Sequence, residues 1–222
     1  MSINHMVNNA PIAAAAMPAD TPADAETRER ILHAAHRVFL RAGTAKARTQ
    51  EIADEAGVNK ALLHYYFGSK AALADAVFAQ QAAQLLPRIF GILGAPDRSI
   101  AQKVHAVVDE QIAFHRANPY LAGFLATELH VEPDRIKRLL APHGTPPLAV
   151  LEQQLRQAAD AGTMRPMPVA QFVLSLMGAL MLPFLMRPMV SLFFDLEGDR
   201  FDAFLDERRA LLPDFFLAGL QP

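Results

Sequence analysis

Apolar residues fall three and four apart along most of this chain, and no stretch alternates with hairpin turns, so helices are predicted and strands are not. The pattern is tightest between Thr49 and Lys70. Ile52, Ala53 and Ala56 share the inner face of a short helix. Gly57 ends it, because a sharp turn needs a residue that tolerates positive φ. Val58 fills the corner, and Asn59 is a suitable N-cap for a second helix from Lys60. Leu63 and Phe67, at i and i+4, lie on one buried stripe with Leu62 and Tyr66 beside it. Two short helices about a glycine turn are the layout of a helix-turn-helix.

Prolines and glycines divide the rest of the chain into further helices. A long one capped by Ser69 runs into the low 90s, with Pro87 as a place to bend. Another follows Asp97 and stops near Asn118, since Pro119 disfavours helical geometry before it. Helices at 120–131 and 134–140 precede a loop at 142–147, and one at 147–161 stops at Gly162. Two last blocks, 168–186 and 199–218, flank a linking segment around Pro188 and Gly198. The fold class is all-α.

Pro166 to Met186 carries no charge over 21 residues, long enough to span a membrane. Pro166, Pro168 and Pro183 interrupt it, Gln171 is polar, and neither a second span nor an aromatic belt accompanies it. It therefore reads as a helix buried in protein on all sides, and no membrane partner is expected. The terminal helix shows a stripe of Phe201, Phe204, Leu205, Leu211, Leu212 and Phe215. Arg208 interrupts that stripe; a carboxylate such as Asp206, a carboxylate of a partner, or solvent at the rim would accommodate it. Residues 1–25, rich in Ala, Pro, Asn and Asp, are expected to be a disordered tail, with Pro11, Pro18 and Pro22 opposing a long helix. Residues 1–5 are open to two readings, a natural start at Met1 or a cloning remnant before a start at Met6, and the lack of a basic residue before Arg28 argues against a secretory signal.

Composition adds little until it is divided. The chain has no cysteine, which removes disulfide and thiolate chemistry and fits a cytoplasmic location. Its net charge is −2, but residues 26–73 hold eight Lys/Arg against five Asp/Glu, a net +3, and the remainder is −5. The small positive excess sits on the helix-turn-helix, where phosphate attraction would use it.

On these residues the stretch from about 27 to 73 resembles the N-terminal domain of the tetracycline-repressor (TetR) family of bacterial regulators. The matching features begin with a first helix, Thr27 to Ala35, then Val38-Phe39 and a closing Gly43. Ile52-Ala53, Ala56-Gly57-Val58 and an aromatic run into Ser69-Lys70 and Leu73 complete them. Two departures stand out: Arg48 replaces the usual Ser or Thr cap, with Thr49 next, and the family's tyrosine and histidine appear as His64 and Tyr66.

The resemblance implies three segments: the tail 1–25, a DNA-binding domain at 26–73 and a helical ligand-binding and dimerisation domain at 74–222. It implies a homodimer, joined through the last two long helices, that reads a palindromic double-stranded DNA operator as a repressor. Lys60, Ala61, Leu62 and His64 then face the major groove; Lys60 is placed to donate to guanine and the Ala61 methyl to touch thymine. Thr49, Tyr66 and Lys70 match phosphate-holding positions, and Arg48 offers a further phosphate contact. Packing of Tyr65 and Tyr66 on the first helix, and a solvated Lys70, are the plainer alternatives.

A small-molecule effector site is read from polar residues on inward faces. Gln111 and His115 each lie seven residues beyond an apolar member of their helix, and Glu128 lies within the apolar face of the next. With Phe124, Phe172, Leu176, Met177 and Phe184 they are candidates to line a pocket for a mostly apolar ligand. A His115–Glu128 core hydrogen bond is the alternative. A helical enzyme using those two groups, or an interaction protein keeping only the fold, are rival classes. No nucleophile motif or phosphate-binding glycine loop supports catalysis, and the histidines lack metal-ligand spacing, so neither catalytic residues nor a cofactor or metal is expected.

Overall fold

The computed structural model describes residues 21–131 and 133–222, without the side chains of 128–131, 133, 135, 136 and 139. All regular structure among the described residues is helical. The first helix, α1 (Pro22–Lys46), starts inside the stretch read as a tail. Pro22 takes its first turn, where a missing N–H costs nothing because that donor has no helical acceptor. Thr21 accepts from the Asp24 N–H, and the Asp24 carboxylate reaches back to the Thr21 N–H, forming a capping box. The proline begins a helix instead of preventing one. Gly43, at φ 71°, breaks the helical geometry of α1 near its end.

α2 (Thr49–Ala56) and α3 (Lys60–Phe67) meet at Gly57, which adopts the left-handed conformation at φ 65° and ψ 35°. There the Val58 N–H reaches the Ala53 carbonyl at 3.0 Å, tying off the end of α2. The Asn59 side chain caps α3 by accepting from the Leu62 N–H at 2.7 Å. Ser69 does the same for α4 (Lys70–Gly94) through the Ala72 N–H at 3.1 Å. α5 (Ile100–Ala117), α6 (Pro119–Val131), α7 (Pro133–Leu140) and a 3-10 turn (Ala141–His143) follow. α8 (Leu148–Asp160), α9 (Val169–Leu185), α10 (Arg187–Phe194) and α11 (Gly198–Ala218) complete the chain. The segment around Pro188, read as a link, is therefore largely helical; Pro188 is tolerated because it lies in the first turn of α10.

Two hydrophobic clusters hold these helices, and α4 is divided between them. The first unites Ile31, Val38, Phe39, Ile52, Leu63, Leu73 and Val77 with Leu121 and Phe124 of α6. Phe39, Ile52 and Leu63 are fully buried, each contributing about 1.5–3 kcal/mol. The second joins Ile89 and Ile92 of α4 to α5, α8, α9 and α11 through Val104, Val108, Leu151, Leu176, Leu180 and Leu205. α9 is not buried on every side, however: Leu174 and Leu182 are exposed. Among the described residues no single helix is long and apolar enough to cross a membrane; α9 and α10 are so only together, across a 72° bend.

Polar groups close the gaps in the ladders. Lys103, fully buried, donates from Nζ to the Leu93 carbonyl at 2.7 Å, satisfying an acceptor in the last turn of α4. Burial lowers its pKa, opposed by the pull of Asp97. Arg208 is half-buried and donates to the Ala179 carbonyl, not to Asp206, which is held by Arg116 at 2.6 Å. Ala179 lies four residues before Pro183, which has no N–H to offer it. The arginine replaces the hydrogen bond that the proline removes.

Candidate nucleic-acid interface and effector site

Packing of α2 and α3 on α1 leaves one side of α3 to solvent. Lys60, Ala61 and His64 are exposed there, and Leu62 is half-buried. His64 Nδ1 lies 2.9 Å from the Gly68 carbonyl, closing the end of its own helix. Arg48 is exposed at the start of α2 and makes no side-chain cap, in keeping with the departure seen in the sequence; Thr49 beside it is half-buried. Behind this face Glu55 accepts from Arg37 Nε at 2.7 Å and Arg41 Nη2 at 2.8 Å. Those two bonds, the Arg37 one foremost, hold the Glu55 carboxyl below its ordinary range. The clamp binds α2 to α1 and engages two of the cations counted toward DNA. Arg48 and Lys60 have no carboxylate partner among the described residues.

Tyr66 and Lys70, the other residues assigned to phosphates, are engaged within the protein. The Tyr66 hydroxyl donates to Asp24 Oδ1 at 2.6 Å, across 42 residues of sequence. This bond is the main reason why the Asp24 carboxyl is lowered and the Tyr66 phenol raised. Lys70 Nζ donates to the carbonyls of Ala45 and Ala47 at 3.1 and 3.2 Å, serving the chain end of α1. The residue that sequence reasoning missed here is Asp24, placed in the supposed tail; the signal was the Thr21-Pro22-x-Asp24 capping pattern.

The candidate effector residues divide. Gln111 and His115 are buried on α5. Gln111 Nε2 lies 4.0 Å from Met177 Sδ on α9, and the His115 ring is 5.2 Å from that of Phe184. Gln111 Oε1 and His115 Nδ1 find no hydrogen-bond partner among the described residues. Burial pushes His115 down to about 4, so the imidazole is neutral at physiological pH. Leu176 and Phe172 belong to the same cluster, Phe172 edge-on to Phe216 at 5.2 Å. Phe124 does not join them: it stacks on Phe78 at 5.6 Å in the first cluster. Its ring instead lines a groove of about 480 Å³ between α1, α4 and α6, with Gly43, Lys70, Tyr120 and Gly123. The Glu128 side chain lies outside the described residues.

Between the two regions runs a polar contact absent from the sequence reading. Tyr120 at the start of α6 lies 2.8 Å from His36 Nδ1 on α1. Burial raises the Tyr120 phenol and lowers His36, with His33 and Arg37 adding to the latter. A protonated phenol thus meets a neutral imidazole.

Comparison with known proteins gives three kinds of match. Residues 31–77 fit the family model described as bacterial regulatory proteins, tetR family. An HTH-type transcriptional repressor of Streptomyces coelicolor, SCO4008, is 32% identical over 102 residues, 46% of this chain and 49% of that protein. The match thus spans about half the length of the curated relative. Among solved structures, the regulator FadR from Bacillus subtilis, in complex with stearoyl-CoA, has a TM-score of 0.60 at 17% identity, covering 87% of this chain and 99% of that one. A TetR/AcrR-family regulator from Thermobifida fusca has a TM-score of 0.58 at 20% identity, covering 85% and 97%. At these identities the structural likeness shows the fold.

Proposed function

Since the chain belongs to the tetR family of bacterial regulatory proteins, we propose that it is a dimeric repressor released from a palindromic operator by a small, largely apolar ligand. The observation that carries the reading is the exposed face of α3, where Lys60, Ala61 and His64 project to solvent while Leu63 and Phe67 anchor the helix from behind. A short, rigid helix presenting a cation and a methyl group at its start is suited to the major groove. Residues 26–73 form the reading domain in this proposal and 74–222 the body. Leu174 and Leu182 on α9 and Leu211 and Phe215 on α11 are exposed, and a second copy covers them.

The effector enters the body at Gln111 and His115, whose orphaned Oε1 and Nδ1 take its polar group while Phe172, Leu176, Met177 and Phe184 hold its apolar part. Glu128 completes the set assigned from the sequence, whereas Phe124 is left out of it because it lines a separate groove in the first cluster. The stearoyl-CoA complex of FadR places long-chain acyl compounds in the first ligand screen. An effector releases DNA only by favouring one arrangement of the heads over another. The protein acts in the cytoplasm, where its operator is.

The test is affinity for the gene's own promoter against scrambled DNA at several salt concentrations. The promoter is expected to bind more tightly, and both to weaken as salt rises. Lys60→Ala is expected to cost about 1–3 kcal/mol on the promoter alone. Equal, weak binding to both DNAs, unchanged by the substitution, would remove the sequence-reading role.

A further inference from the structure

Asp24 sits where an anion from outside the protein would be expected. It is the third residue of α1, yet its carboxylate touches the last turn of α3, accepting from the Tyr66 hydroxyl at 2.6 Å. Its position is fixed locally: Oδ2 accepts from the Thr21 hydroxyl at 2.7 Å, and the Asp24 N–H donates to Thr21 Oγ1 at 3.2 Å. The Tyr65 ring stands edge-on to that of Tyr66 at 5.2 Å. One turn along α1, the Arg28 guanidinium lies 5.3 Å over the ring of Phe67, so the start of α1 is laid across the end of α3.

A phenol beside a reading helix is a natural donor to a DNA phosphate. It has only one hydrogen to give. A carboxylate and a phosphodiester are the same kind of acceptor, an anionic oxygen, so Tyr66 serves one or the other. We propose that Asp24 is an intramolecular phosphate mimic: it occupies Tyr66 in the free protein and yields it to the DNA backbone on binding. The inference rests on the reading of α3 as a DNA-binding helix. On DNA the Tyr66 hydrogen passes from a carboxylate oxygen to a phosphate oxygen as hydrogen-bond acceptor, with no covalent change. The first turn of α1 then moves away or frays, because its carboxylate repels the phosphate that replaces it. DNA affinity is thereby set partly by a segment ahead of the helix-turn-helix.

A four-protein cycle tests this: the full chain, Asp24→Ala, Tyr66→Phe and the double variant, each titrated with promoter and with scrambled duplex at low salt. Loss of a negative charge tightens DNA binding by itself, so the effect of Asp24→Ala is compared across the two backgrounds. With Tyr66 present the gain is expected to be about fivefold, and in the Tyr66→Phe background no more than about twofold. Binding of DNA by Asp24→Ala but not by the parent protein supports the mimic still more directly. Equal gains in both backgrounds overturn it while leaving the DNA-reading role intact. Failure of all four folded proteins to bind either duplex overturns both. Asp24→Asn keeps an acceptor but not the charge, and is expected to fall between, with thermal melts verifying that each variant is folded.

Discussion

Burial keeps His115 neutral, and nothing among the described residues repays the cost of charging it. Its pKa in the folded chain is near 4, against about 6.5 when unfolded, and its Nδ1 is orphaned. The sign follows directly: the unfolded state takes up the proton first, so this contribution to stability is whole above about pH 6.5 and is lost as pH falls toward 4. At full extent it amounts to about 3 kcal/mol. Urea midpoints of the parent and His115→Gln, compared from pH 7 to 4, are expected to converge in acid as the parent loses stability faster. Parallel pH profiles would mean that the imidazole is solvated. In the proposed effector site the same atoms would meet the ligand, so a bound effector with a donor or acceptor at this position is expected to stabilise the protein beyond its apolar contacts.

At the scale of elements, a proline in one helix and an arginine in another act as one device. Pro183 frees the Ala179 carbonyl, and Arg208 occupies it. Arg208→Met is expected to cost about 1–3 kcal/mol in urea unfolding, and about 1 kcal/mol less in a Pro183→Ala background, where the substituted alanine supplies the missing N–H. Strict additivity of the two substitutions would dismiss the link. The sequence disclosed the helices well wherever their ends were chemical: Gly57, Asn59, Ser69 and Asn118 each end or begin one as expected. It did so poorly where proline was read only as a breaker, since Pro22 and Pro188 both lie in first turns. Burial of Gln111 and His115 was legible from the period of α5. The partners of Tyr66, His36 and Arg208 were not, because those bonds join residues 42, 84 and 29 apart, and local spacing carries no information on such pairings.

For the whole molecule, the exposed apolar face of α9 and α11 sets the first question. Phe215 is 79% exposed, Leu174 68% and Leu211 60%, too much to leave to water if about 800 Å² per protomer can cover it. Phe215→Glu is expected to turn the proposed dimer into a monomer in analytical ultracentrifugation at micromolar concentration, with its helical content retained; a parent protein that is itself monomeric would remove the proposed dimer, and an undisturbed dimer would place the interface elsewhere. The division of α4 between the two clusters also has a consequence in plain lever arithmetic. Its 25 residues span roughly 37 Å. One end is fixed among Leu73, Val77 and Phe78, the other among Ile89 and Ile92. A pivot of about 5° at the body end carries the other end roughly 3 Å sideways, close to the rise of one base pair. In the proposed repressor, a side chain's small displacement around Ile92 would then be enough to slide the helix-turn-helix one step out of register with the groove it is proposed to read.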